Sequence, residues 1–247
     1  MVNASEAVIW SVDVDVDESR LDAELERGLP MQSLKLTRGK MERLGLYRIA
    51  QIQTEYGIQV FADAKIGGVP HEVVDAALPY LDYNPWMLNV LAGETISNAV
   101  MSGSGSEELD GLKRFADLCR THGTLSCAVT VLTSKDKRVV NAEYNGRTAT
   151  EQVLVYADWL VQAGFTDIVC SPLEAAALRS DGSFRSLTIN TPGVRLAGDS
   201  VNDQARVDTP AGAIANGADR LVVGSSLSKG DLHDNFKKIE YDLTKGK

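Results

Sequence analysis

Cysteine is scarce: 247 residues hold three, Cys119, Cys127 and Cys170, at spacings that suit neither a disulfide framework nor a metal site. That usage fits a reducing compartment, and a cytoplasmic protein is expected. No apolar run approaches the ~20 residues of a membrane span, so no membrane partner is expected. The opening MVNASEAVIWSVDVD lacks the basic lead of a signal peptide. His71, His122 and His233 share no metal-ligand spacing, and neither a Ser–His–Asp nor a Cys–His arrangement is legible. Nucleotide-binding glycine fingerprints are missing too; GSGS from Gly103 follows no convincing strand. Basic residues are in the minority, 25 against 34 acidic, for a net charge of −9. A nucleic-acid backbone normally calls for a basic face, so no nucleic-acid partner is expected. A small anion is not excluded, because a local basic pocket can sit in an acidic protein.

What the chain does have is a rhythm. Short apolar runs recur at AVIWSVD (from Ala7), QSLKL (from Gln32), IQVFADA (from Ile58) and WMLNVLA (from Trp86). Four more follow: TLSCAVTV (from Thr124), DIVCS (from Asp167), SLTINT (from Ser186) and RLVVG (from Arg220). The stretches between them read as helices. LDGLKRFADLCRTHG, from Leu109, places Leu112, Phe115, Ala116 and Cys119 on one face and stops at glycine. TATEQVLVYADWLVQAG, from Thr148, opens on a Thr-x-x-Glu capping box, and TPAGAIANGA, from Thr209, has proline at the first helical position. MSGSGSEELDG, from Met101, and KDKRVVNAEYNGRTA, from Lys135, read as polar connections. Eight strands alternating with helices, undivided by any Pro/Gly/Ser linker, predict one domain over 1–247: a (β/α)₈ TIM barrel, with an open doubly wound sheet as the alternative.

Chemistry in such barrels sits at the C-terminal ends of the strands. Those ends carry Asp13, Lys35, Asp63 with Lys65, Asn89, Thr133 and Ser134, Ser171, Arg195 and Gly224. The densest is FADAKIGGVP, from Phe61, where Asp63 and Lys65 stand two apart and so face the same way on a strand. Buried charges are expensive unless paired, so a structural ion-pair cluster is the plain reading. An acid and a base poised for chemistry is the sharper one.

Several segments resemble the bacterial orotidine 5′-monophosphate decarboxylases: AVTVLTS from Ala128, IVCSPLEA from Ile168, TPGVR from Thr191, NDQARVDTP from Asn202 and GADRLVVG from Gly217. FADAK and the Leu-Lys of strand two add to them, in the family's order. The resemblance implies a dimeric barrel, its active sites near the interface, acting without metal or organic cofactor on a pyrimidine nucleotide. It further implies that Lys35, Asp63 and Lys65 are catalytic, three members of a Lys–Asp–Lys–Asp tetrad. Asp63 would oppose the substrate carboxylate; Lys65 would stabilise and protonate the carbanion left behind. Asp13 matches a ribose contact and Ser134 a pyrimidine-reading serine. Arg195 and Gln204 match phosphate-binding positions, and Asn89, Gly224, Ser225 and Glu72 complete the expected substrate-binding set.

The match has gaps. Gly68 stands where the family has the tetrad's last aspartate, Glu72 where it has threonine, and Ser225 where an arginine grips phosphate. Thr37 and Leu91 replace a glycine and a histidine. Glu72 either reaches into the space left by Gly68 or is a solvated first-turn residue; Lys229 or Arg38 approaches the phosphate, or Lys229 is merely solvated. Three readings of function follow: decarboxylation of orotidine 5′-monophosphate, the same chemistry on an altered orotate nucleoside or nucleotide, or a catalytically silent nucleotide-binding barrel.

Overall fold

A computed structural model describes residues 2–13, 15–95, 109–196 and 207–245. Eight strands, β1 (Val8–Val12), β2 (Ser33–Thr37), β3 (Gln59–Ile66), β4 (Met87–Leu91), β5 (Leu125–Val129), β6 (Asp167–Val169), β7 (Thr188–Thr191) and β8 (Arg220–Val223), close into a barrel in chain order. All neighbours are parallel, and β8 pairs with β1 through Ile9 and Val222 to seal the cylinder. This is the (β/α)₈ barrel that the alternating pattern predicts; the open sheet is excluded by closure.

Strand alternation sorts the core into two zones. Outward positions such as Val60, Ala62, Leu88, Val90, Ala128 and Ile168 join the large apolar shell beneath the helices. Inward positions Phe61, Met87, Cys127, Val129 and Val169 form a small separate cluster inside the barrel. That floor is apolar, and above it the inward positions turn polar: Lys35, Asp63 and Asn89.

The predicted helices are present at Asp110–Thr121, Ala149–Ala163 and Pro210–Ala215. Thr148 and Glu151 form the expected reciprocal cap: the Glu151 N–H donates to Thr148 Oγ1 at 3.2 Å, and the Thr148 N–H to Glu151 Oε2 at 2.8 Å. Two features differ from expectation. The polar connection from Lys135 contains a helix, Lys137–Glu143, started by Asp136, whose side chain accepts the Val139 N–H at 2.9 Å. Strand β3 runs on to Ile66, so Lys65 belongs to the strand itself. Of the polar connection from Met101, residues 101–108 lie outside the described residues, and Asp110 opens a helix.

The opposite end of the barrel is closed by a charged plug. Arg220 donates to Asp167 at 2.6 Å, Asn190 donates to the same carboxylate at 2.9 Å, and the Arg220 guanidinium stacks 4.7 Å from the Trp86 ring centroid. Asp167 is thus a buried acid with its charge matched.

Candidate active site

Three strands deliver one cluster. Lys35 Nζ from β2 and Lys65 Nζ from β3 each lie 2.6 Å from Asp63 Oδ2. Asp63 Oδ1 accepts from Asn89 Nδ2 of β4 at 2.7 Å, and Asn89 Oδ1 accepts the backbone N–H of Lys65 at 2.7 Å. The Asp63 side chain is only 4% exposed, that of Lys65 40%. Burial alone would raise the Asp63 carboxyl; the two ammonium groups overturn that and hold it well below the usual carboxylate range. An acid that favours its ionised form at the base of the site, with the Lys65 side chain half open to the mouth, is the result.

Lys65 does not reach Asp63 by simple alternation. Ala62 pairs with Leu88 while Ile66 pairs with Val90, so β3 bulges against β4. Within the bulge Lys65 has φ +48°, a left-handed conformation uncommon for a lysine. The expected common face is realised, but by a local break in the strand.

These groups form one wall of a cavity of about 290 Å³ at the C-terminal mouth. Its other side is Val129, Val131, Leu132, Thr133 and Ser134 from β5 and the turn after it, with Val169, Pro192 and Val222 beyond. A charged wall facing an apolar one suits a flat, partly polar ring carrying an anionic group.

A family model described as "Orotidine 5'-phosphate decarboxylase / HUMPS family" matches residues 41–233. The chain belongs to that family. A relative named orotidine 5'-phosphate decarboxylase from Teredinibacter turnerae is 33% identical over 205 residues, covering 82% of this chain and 83% of that one. One of the same name from Nitrosococcus oceani is 33% identical over 223 residues, covering 90% of each. Among solved structures, orotidine 5'-phosphate decarboxylase from Lactobacillus acidophilus superposes with a TM-score of 0.72 at 24% identity, over 96% of this chain and 99% of that one. The enzyme from Methanocaldococcus jannaschii, complexed with inhibitor BMP, gives 0.69 at 17% identity, over 97% and 99%. At those identities the two structures speak for the fold.

Around this orotidine 5'-phosphate decarboxylase / HUMPS family core, the other expected site residues fall in different places. Ser134 lines the cavity. Asp13, just past β1, accepts from Ser11 Oγ at 2.8 Å, and its Oδ2 sits 2.5 Å from where a Cβ on Gly224 would stand, so a side chain at the end of β8 would displace the Asp13 carboxylate. Ser225 opens the short helix Ser225–Ser228. Arg195 is not among the residues lining the cavity: its Nη1 donates to the Val194 carbonyl at 2.9 Å, and its buried Nε has no hydrogen-bond partner among the described residues. Gln204 lies outside the described residues. Lys229 is exposed; exposed Arg38 reaches the Lys65 carbonyl at 3.5 Å.

Both readings of Glu72 hold at once. It is an exposed first-turn residue of helix Pro70–Leu81, and its carboxylate curls back to accept the Val69 N–H at 3.4 Å. There Glu72 Oε2 lies 2.8 Å from the point where a Cβ on Gly68 would begin. Glu94 crowds Gly67 in the same way, at 2.9 Å. Gly68 also has φ +138°, which side chains avoid. The glycine pair therefore lets the chain turn tightly beneath two carboxylates.

The apolar half of the cavity leaves no mark in the sequence. Val131, Leu132, Pro192 and Val222 carry no chemical signal of their own and become wall only through barrel closure. Among the described residues no His, Cys, Asp and Glu group has the makings of a metal site. The barrel-floor thiol of Cys127 is pushed well above its ordinary range by burial and by Asp167 and Asp63 nearby, so it is no nucleophile.

Proposed function

We propose that this chain is a carboxy-lyase that decarboxylates orotidine 5′-monophosphate or a closely related orotate nucleoside or nucleotide, giving the uracil product. The observation that carries the reading is Asp63 Oδ2 held 2.6 Å from two ammonium groups at the base of a ligand-sized cavity. A substrate carboxylate placed against Asp63 meets a fixed negative charge; two unit charges ~4 Å apart repel by about 4 kcal/mol at an effective dielectric near 20. Breaking the carbon–carboxylate bond releases CO₂ and ends that repulsion. The electron pair stays on ring carbon C6, beside the Lys65 ammonium, which stabilises it and then supplies the proton. Lys35 holds Asp63 from the other side. These dipoles and charges are in place beforehand, so little reorganisation remains for the transition state.

Ser134 then reads the pyrimidine edge, Asp13 the ribose, and Arg195 with Gln204 the phosphate. Ser225 in place of a phosphate-gripping arginine favours the variant in which the 5′ end of the ligand differs from a simple phosphate. A silent barrel would gain nothing from burying Asp63 against two lysines, since burying charge is costly. We further propose that the protein works in the cytoplasm as a homodimer with its active sites near the interface; three free cysteines, all buried, accord with a reducing compartment.

The test is direct. Incubation with orotidine 5′-monophosphate, orotidine and related orotate nucleosides, followed by ultraviolet absorbance, reports conversion to the uracil product. Turnover of one of them, lost in Lys65→Ala, supports the proposal. Tight binding of all with no turnover overturns it.

A further inference from the structure

We infer that Asn89 is a positioning residue of this site: one buried amide holds the Asp63 carboxylate at one end and the backbone of Lys65 at the other. The residue is fully buried on β4, and its two hydrogen bonds, both 2.7 Å, run in opposite senses. In a regular parallel pair the Lys65 N–H would donate to a backbone carbonyl of the next strand. The β3–β4 register breaks between Ala62 and Ile66, which removes that acceptor. A part-buried N–H needs another partner, and Asn89 Oδ1 provides it while Lys65 stays at φ +48°. The same amide's nitrogen closes on Asp63 Oδ1, the oxygen that neither lysine touches. Only an amide offers a donor and an acceptor on one rigid fork at this span; a carboxylate lacks the donor.

The consequence is a division of labour. Lys35 and Lys65 balance the charge of Asp63, while Asn89 sets the plane of the carboxylate and the direction from which the Lys65 side chain returns to it. The asparagine is therefore not spent on the ligand: its oxygen is taken by Lys65 and its nitrogen by Asp63.

The kinetic half of the test rests on the decarboxylase reading; the structural half does not. Asn89→Ala and the near-isosteric Asn89→Asp are compared with the wild type by circular dichroism, crystal structure and steady-state kinetics on whichever orotate substrate the wild type turns over. In folded Asn89→Ala, Lys65 leaves the left-handed region, its ammonium draws away from Asp63, and kcat falls about a hundredfold with KM little changed, as expected for a misplaced catalytic group. Asn89→Asp keeps the acceptor for Lys65 and loses the donor toward Asp63. Its neighbours are Lys35 from β2, Asp63 and Lys65 from β3 and the Cys127 thiol from β5. Its turnover rises as pH falls and the two carboxyls take up a shared proton, a response absent from the wild type. The inference is overturned if Lys65 and Asp63 keep their geometry in Asn89→Ala, if the loss lies wholly in KM, or if Asn89→Asp shows no such rise. A wild type without turnover on any orotate substrate sinks the proposed function alone, and the Asn89→Ala structure then decides this inference.

Discussion

At the scale of single residues, the site separates stability from chemistry. Lys65 is half open, so Lys65→Ala removes a partly solvated ion pair and costs less than about 1 kcal/mol of stability. The same change removes the proposed proton donor, and turnover should fall by about a thousandfold or more. Asp63→Ala behaves differently. It strands the Lys35 ammonium, whose side chain is 12% exposed, and costs about 3 kcal/mol as well as activity; urea unfolding of the two variants side by side shows the contrast. The pH response follows from the depressed Asp63 carboxyl. A carboxyl whose folded value lies below its unfolded one adds stability that is complete above about pH 4 and is lost as pH falls from there toward the folded value. Between about pH 4 and 8 the wild-type kcat profile should therefore show no acid limb from Asp63, which a stopped assay across that range checks.

At the scale of elements, β3 carries most of the proposed chemistry, and it does so by departing from a regular strand. Its bulge places Lys65, and the glycine pair after it ends the strand beneath Glu72 and Glu94. Gly68→Asp, which introduces the aspartate that the resemblance implies at this position, meets both a disallowed φ and the Glu72 carboxylate. It should lower stability by about 1–3 kcal/mol. Gly68→Asp combined with Glu72→Ala should recover only the part due to the clash, which differential scanning calorimetry resolves. Helices respond to smaller forces: Thr148→Ala removes the cap of Ala149–Ala163 and should cost about 1 kcal/mol, with kcat unchanged.

At the scale of the whole molecule, the barrel divides labour between its ends. The mouth holds an acid and two bases whose arrangement is costly and reactive; the far end holds the Asp167–Arg220–Asn190 plug, matched and closed. Arg220→Met should leave Asp167, 1% exposed, without its cation and destabilise the fold by about 3–5 kcal/mol. The protein that remains folded should keep the wild-type kcat, because the plug lies at the other end of the strands from Lys65. Thermal unfolding and initial rates on the same preparation distinguish this from a loss at the active site.

Much of this was legible before any coordinates. Eight apolar runs separated by capped, amphipathic stretches leave a parallel barrel as the simplest way to bury them, because hydrophobic period and helix caps are local properties of the chain. The Asp63–Lys65 spacing, the Lys35 strand end and the Thr148 cap belong to the same local kind. What only tertiary structure decided depends on neighbours distant in sequence. Asn89 reads from the sequence as a strand-end residue for the ligand; only when β3 and β4 lie together does each end of its amide gain a protein partner. The two sequence readings of Glu72 meet only because Gly68 turns beneath it, and the apolar cavity wall exists only because β5 through β8 complete a circle. Periodicity follows from the covalent chain; a register break, a shared carboxylate and an enclosed cavity follow from which strands lie side by side.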